Sequence, residues 1–174
     1  MRYVLSVVLC VGLAASLVGT AWSQPNVGDT NVSLSAAFNS LDVEGADSDS
    51  FSISADYGRF VSESLEVGAG LEFQDVSGDV GDATSWLLLG KAKHHFLPPA
   101  GRTTVPYVGL QLGFASVDSG GVDDTSFAWG AMAGLKSYDK PNRFWLVELS
   151  FLRYEIEDAD VDELMLRLGQ GFVF

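Results

Sequence analysis

Nine ionisable side chains recur at alternate positions along short apolar segments. The acids are Asp56, Glu66, Glu72, Glu148 and Glu163, and the bases are Lys91, Lys93, Lys136 and Arg167. In an extended chain alternate residues share a face, so these groups are set opposite the apolar residues that flank them. Charge drawn out of water must be paired and hydrogen-bonded. The chemistry expected of the set is therefore structural: salt bridges and hydrogen bonds that fill an enclosed space.

The remaining reactive residues are sparse. His94 and His95 are the only histidines. Adjacent residues of a strand point to opposite faces, so the two rings cannot chelate one metal ion together. His95 is expected in the interior network and His94 on the opposite face. Asp47 and Asp49, Asp75, Asp79 and Asp82, Asp123 and Asp124, and Glu155, Glu157, Asp158 and Asp160 form acidic clusters of hard oxygen ligands. None has the full spacing of a calcium-binding hand, and they read first as solvated, mutually repelling segments. Ser85 and Ser150 have no evident histidine partner. Gly68-Ala69-Gly70 follows no phosphate-loop spacing. No catalytic, cofactor or metal residue is assigned, and the chain is read as a non-enzyme.

These side chains need a scaffold, and composition narrows the choice. The chain has 174 residues, one cysteine and a net charge of −13. Arg2, an apolar run from Tyr3 to Val18, and small residues at Ala21 and Ser23 predict a signal peptide over residues 1–23, cleaved before Gln24. The run is short for a spanning helix. Leu9 is too bulky before Cys10 for a lipoprotein signal. Cleavage removes Arg2 and Cys10, leaving nine basic against twenty-three acidic residues, a net −14, and no thiol. Such an acidic chain is not expected to bind nucleic acid. Its apolar content is too high for disorder. No second long apolar run follows, so any membrane crossing must use a closed barrel.

Residues 24–174 alternate with period two in eight segments, the strand signal. Apolar sets include Val32, Leu34, Ala36 and Phe38, then Phe51, Ile53, Ala55 and Tyr57, and finally Leu164, Leu166, Leu168, Phe172 and Phe174. Most segments have about the ten residues that a tilted strand needs to cross a bilayer. The expected fold is all-β, an eight-stranded antiparallel up-and-down transmembrane barrel. Connectors at 42–50, 75–83, 116–125 and 155–162 are acidic and lack Lys and Arg. They are expected to be long loops on one rim. Those at 62–64, 98–102 and 139–143 carry turn residues for the other rim.

Alternation does not say which face is outside, and a soluble lipocalin-type barrel would turn the apolar face inward. The polar face is rich in Gly and Ser, which suits a narrow interior and weakens a solvent-facing strand. The rings of the apolar face fall near strand ends. Phe38, Phe51, Phe73, Trp86, Phe114, Phe127, Trp129 and Phe151 make one belt, and Tyr57, Phe96, Trp145 and Phe174 the other. The chain closes on Arg167-Leu-Gly169-Gln-Gly-Phe172-Val-Phe174. This resembles the C-terminal assembly signal of bacterial outer-membrane barrels, carried by Arg167, Gly169, Phe172 and Phe174. With Asp56-Tyr-Gly-Arg-Phe-Val-Ser-Glu-Ser-Leu-Glu-Val-Gly-Ala-Gly70 and Val105-Pro-Tyr-Val-Gly-Leu-Gln-Leu-Gly113, residues 28–174 are similar to the small outer-membrane barrel superfamily that includes the OmpA membrane domain and the OmpX proteins.

That resemblance implies a location in the bacterial outer membrane and recognition of the last strand by the barrel assembly machinery. It does not extend to a periplasmic cell-wall-binding domain, for which no residues follow the last strand. The function expected is that of a structural or interaction barrel with a side-chain-filled interior and acidic extracellular loops. Its partners would be outer-membrane lipid and lipopolysaccharide, with divalent cations bridging the loops to phosphates and Arg153 touching a phosphate directly. The alternative is a narrow porin-like conduit for ions or small solutes. No cofactor is expected.

Overall fold

The computed structural model describes residues 26–43, 46–78, 82–97, 102–119, 122–140, 142–156 and 159–174. The leader expected at 1–23 lies outside them, as do Glu44, Asp79, Glu157, Asp158, residues 98–101 and Pro141. Eight strands follow in order: β1 (Thr30–Val43), β2 (Ala46–Phe60), β3 (Leu65–Gly78), β4 (Ala83–His95), β5 (Thr104–Ser119), β6 (Val122–Lys140), β7 (Arg143–Ile156) and β8 (Ala159–Val173). Each pairs antiparallel with the next, and β1 pairs with β8, closing the barrel. At the closure Thr30 and Phe174 exchange backbone hydrogen bonds of 3.0 and 2.8 Å.

The alternation seen in the sequence is the alternation of the wall. Leu34, Leu110 and Leu164 are 59, 67 and 64% exposed, whereas Ser33, Gln111 and Arg167 on the other face are buried. An apolar exterior over a polar interior is the inverse of a soluble barrel and fits a lipid-facing wall. The outer belt is built from cross-strand pairs. Phe38 faces Phe51, Phe73 faces Trp86 and Phe114 faces Phe127 in register, while Leu164 stands opposite Phe151 in the last hairpin. Ring centroids lie 4.6 Å apart for Phe73–Trp86 and 6.2 Å for Phe114–Phe127. Such pairs stabilise a sheet by roughly 0.2–1 kcal/mol each.

Among the described residues, the acidic connectors at 42–50, 116–125 and 155–162 are paired strand rather than long loop, which corrects the expectation from sequence. Pairing runs on to Val43↔Ala46, Val76↔Ala83, Ser119↔Val122 and Ile156↔Ala159. The acidic segments are thus the outer ends of strands, standing above the aromatic belt. Period-two hydrophobicity is absent from these stretches of the sequence, but the backbone ladder that defines a strand does not depend on it. Four register positions beyond the belt, carboxylate residues oppose each other at Asp42↔Asp47, Asp118↔Asp123 and Glu155↔Asp160. The strands, 13 to 19 residues long, exceed the span of the bilayer on this side.

Candidate functional site: the charged interior

Inward positions of all eight strands converge on the barrel axis and stack in tiers. Nearest the short-turn rim, Glu66 on β3 lies 2.9 Å from His95 Nε2 on β4 and 2.7 Å from Lys136 Nζ on β6. The ammonium of Lys136 also sits over the rings of Phe144, Tyr107 and Phe60, with centroids at 4.7, 5.8 and 5.9 Å. Aromatic faces attract a desolvated cation, so one lysine holds together strands β2, β3, β5, β6 and β7. Val105, Tyr138, Phe144 and Leu146 form an apolar cluster beside it.

The middle tier is the most densely charged. Lys91 pairs with Asp56 at 2.5 Å. Arg167 reaches both carboxylate oxygens of Glu72 at 2.6 Å and Glu148 Oε1 at 3.2 Å. Glu148 Oε2 accepts the Tyr107 hydroxyl at 2.8 Å and lies 3.5 Å from Lys93. Gln111 donates to Ser150 Oγ at 2.9 Å. Glycines make the room. A Cβ at Gly70 would overlap Asp56 and lie 2.8 Å from Lys91 Cε, and one at Gly134 would come within 2.6 Å of the Tyr107 hydroxyl. The Gly-rich face of the sequence is therefore the space occupied by the long charged chains.

The outer tier departs from a polar interior. Leu87, Leu89, Ala115, Val117, Ala128, Leu152 and Tyr154 form a second apolar cluster, with Ala83 and Val161 packed against it. Glu163 lies at this level, bonded to Gln74, which also accepts the Ser85 hydroxyl at 3.3 Å. Of the nine charged residues singled out in the sequence, eight meet in ion pairs, and Glu163 is held by an amide instead. Tyr107, Gln74 and Gln111 belong to the network as well. Their signal was their parity: Gln74 shares that of Glu72 on β3, and Tyr107 and Gln111 share that of Gly109 and Gly113 on β5. Leu87 and Leu89 share the parity of Lys91 and Lys93, so alternation alone hid two apolar residues on an inward face.

His94 is exposed and packs edge-on against Phe96, with centroids 5.1 Å apart. It stands back to back with His95, as neighbouring strand residues must. Among the described residues no three metal-ligating side chains cluster. Arg153, expected to be free for a phosphate, is bonded to both oxygens of Asp162 at 2.5 Å and lies over the Trp129 ring at 6.0 Å. Gly169 and Phe172 pair with Ser35 and Val32 on β1, so the proposed assembly residues form part of the closing seam.

A closed eight-stranded barrel, apolar outside and salt-bridged inside, is a transmembrane barrel of the bacterial outer membrane. The chain belongs to the outer membrane protein beta-barrel domain family, whose model matches residues 4–174. No curated protein matches it in sequence. Among solved structures it is similar to Neisserial surface protein A, with 17% identity, coverage of 84% of this chain and 99% of that one, and a TM-score of 0.68. It is also similar to the N-terminal barrel domain of Pseudomonas aeruginosa OprF, with 23% identity, coverage of 86% and 98%, and a TM-score of 0.53. The outer membrane enzyme PagL shares the fold at 12% identity, coverage of 81% and 97%, and a TM-score of 0.50.

Proposed function

We propose that the protein is a closed structural or interaction barrel, which meets its surroundings through its outer rim rather than by conducting solutes. The observation that carries this reading is the tiered interior. An ionic layer in which Lys91, Lys93, Arg167, Glu72 and Glu148 are all buried lies between two apolar clusters. An aqueous path along the axis would have to breach both clusters and the ion pairs between them. Eight strands leave room for side chains and little more.

Outside, the carboxylate-bearing strand ends would face the phosphates of lipopolysaccharide, with divalent cations bridging the two anionic surfaces. Arg153, already neutralised by Asp162, favours this bridged contact over a direct one. The barrel assembly machinery would engage β8 through Arg167, Gly169, Phe172 and Phe174 after removal of residues 1–23. The reading is non-enzymatic. PagL puts catalysis on the same fold, so this part rests on residues: Ser85 and Ser150 are engaged by Gln74 and Gln111, and both histidines lie toward the opposite rim. Single-channel recording of the refolded protein, checked for folding by the mobility difference between unboiled and boiled gel samples, tests the reading. Silent bilayers with a heat-dependent shift are expected. Discrete conductance steps would make the barrel a narrow conduit.

A further inference from the structure

Two seams of the wall lose their ladder toward the outer rim: β6–β7 pairing ends at Trp129↔Arg153, and the β1–β8 ladder is the shorter and leaves the longer gap. Pairing of β1 with β2 runs from Thr30↔Arg59 to Val43↔Ala46, and that of β7 with β8 from Arg143↔Phe172 to Ile156↔Ala159. The β1–β8 seam runs only from Asn31↔Val173 to Ala36↔Leu168. Both strands continue as strands well beyond that point, to Val43 and back to Ala159, and their other edges stay paired. The ladder therefore stops just below Phe38, at the level of the outer aromatic belt. Above it two edges with backbone donors and acceptors face each other without a ladder. Such groups require partners, most of all near lipid, and the nearest strand edge available to each is the other.

We propose that the outer part of the β1–β8 seam is a lateral gate. Residues 37–43 of β1 and 161–167 of β8 part and re-pair in the register already set below them, opening the upper interior sideways toward the outer leaflet. Three features suit this. Continuing the register keeps parity: Ala37 meets Arg167, both inward, and Phe38 meets Leu166 on the side toward lipid. The same register sets Asp42 at the position opposite Asp162, whose carboxylate is already held by Arg153 of β7, so it offers β1 no ion pair there. Behind the seam lie small or deformable side chains, with Ser52 Oγ 3.6 Å from Met165 Sδ and Ala37 alongside. Glu148, which keeps Lys93 of β4 and Tyr107 of β5, and the Lys91–Asp56 pair form a floor beneath that involves neither parting segment, so parting exposes the upper interior while the axis stays shut.

Double-cysteine variants in a Cys10→Ser background, refolded into phospholipid vesicles and treated with a mild oxidant, test the gate. A36C/L168C bridges a pair already in register and should crosslink at once. F38C/L166C bridges the next pair on the same face. It should crosslink more slowly but to completion, and once locked should slow amide exchange over 161–167 by about tenfold or more relative to its reduced form. If F38C/L166C does not refold, S40C/L164C occupies the following pair of the same register and carries the same expectation. The proposal is overturned if the upper pair stays reduced while A36C/L168C goes to completion, since the seam would then be a fixed gap. It is overturned equally if, in the reduced barrel, amides over 161–167 exchange as slowly as those over 147–153 of β7, since the seam would then never part.

Discussion

Arg167→Met removes the cation that holds the middle tier while keeping much of its volume. In the wild type its guanidinium reaches both oxygens of Glu72 at 2.6 Å and one of Glu148 at 3.2 Å, and all three side chains are almost fully buried. Glu148 retains Lys93 and the Tyr107 hydroxyl. Glu72 loses the only ion-pair partner identified for it among the described residues. Removing one member of a buried pair typically costs about 3–5 kcal/mol, because the charge left behind is uncompensated. With a urea dependence of about 2 kcal/mol per molar, typical of a small domain, the unfolding midpoint should fall by roughly 2 M. The assay is urea unfolding of the barrel in detergent micelles or thin vesicles, followed by tryptophan fluorescence and gel mobility. Because Arg167 is also a proposed assembly residue, refolding in vitro keeps stability apart from insertion in the cell. The double variant Glu72→Leu/Arg167→Met has no orphaned charge and should recover most of the loss. A single variant as stable as wild type, or a double variant as unstable as the single, would refute the view that Glu72 and Arg167 support the wall as a pair.

Four further outcomes follow from the same geometry. Gly70→Ala pushes a methyl group into Asp56 and Lys91 and should destabilise by about 1–3 kcal/mol. Gly90→Ala, whose Cβ would meet nothing closer than 3.6 Å, should be nearly neutral by the same urea titration. Leu152→Ala empties part of the outer apolar cluster and should cost about 2–5 kcal/mol, without producing channel events if the ionic tier alone still seals the axis. Deleting Phe174 should reduce the amount of heat-modifiable protein in the outer membrane far more than it reduces the yield of unassisted refolding. Equal losses in the two measurements would mean that the residue matters to the closing seam alone.

The wall was legible because two environments of opposite polarity act on alternate residues. Leu110 and Gln111 differ in sequence as sharply as lipid differs from the ionic axis. Where that contrast fades, legibility fades too. At Ser116–Asp118 and Thr125–Ser126 period-two hydrophobicity is absent, and paired strand reads as loop. Leu87 and Leu89 could not be assigned a face from sequence, because an apolar tier inside the barrel looks, residue by residue, like an apolar face outside it. Partner choice was less legible still. The groups Asp56–Lys91 and Glu72–Arg167 join residues 35 and 95 positions apart, and only the shear and closure of the sheet decide which inward charges meet. The engagement of Arg153 by Asp162 and the short β1–β8 ladder are likewise products of cross-strand register.

The opposed carboxylates near the hairpin tips belong to a longer recurrence. Asp47-Ser-Asp-Ser-Phe51, Asp82-Ala-Thr-Ser-Trp86, Asp123-Asp-Thr-Ser-Phe127 and Asp160-Val-Asp-Glu-Leu164 each open the returning strand of a hairpin. Each ends on the belt partner of Phe38, Phe73, Phe114 or Phe151. The molecule is thus four variations on one two-stranded module, the last having exchanged its ring for Leu164 and its serine for Glu163. All four modules share their register at the belt, and the first, third and fourth share it also toward the tip. A barrel of this kind has an evident route to growth by adding a hairpin, and to new surface chemistry by altering one tip while the other three hold the wall.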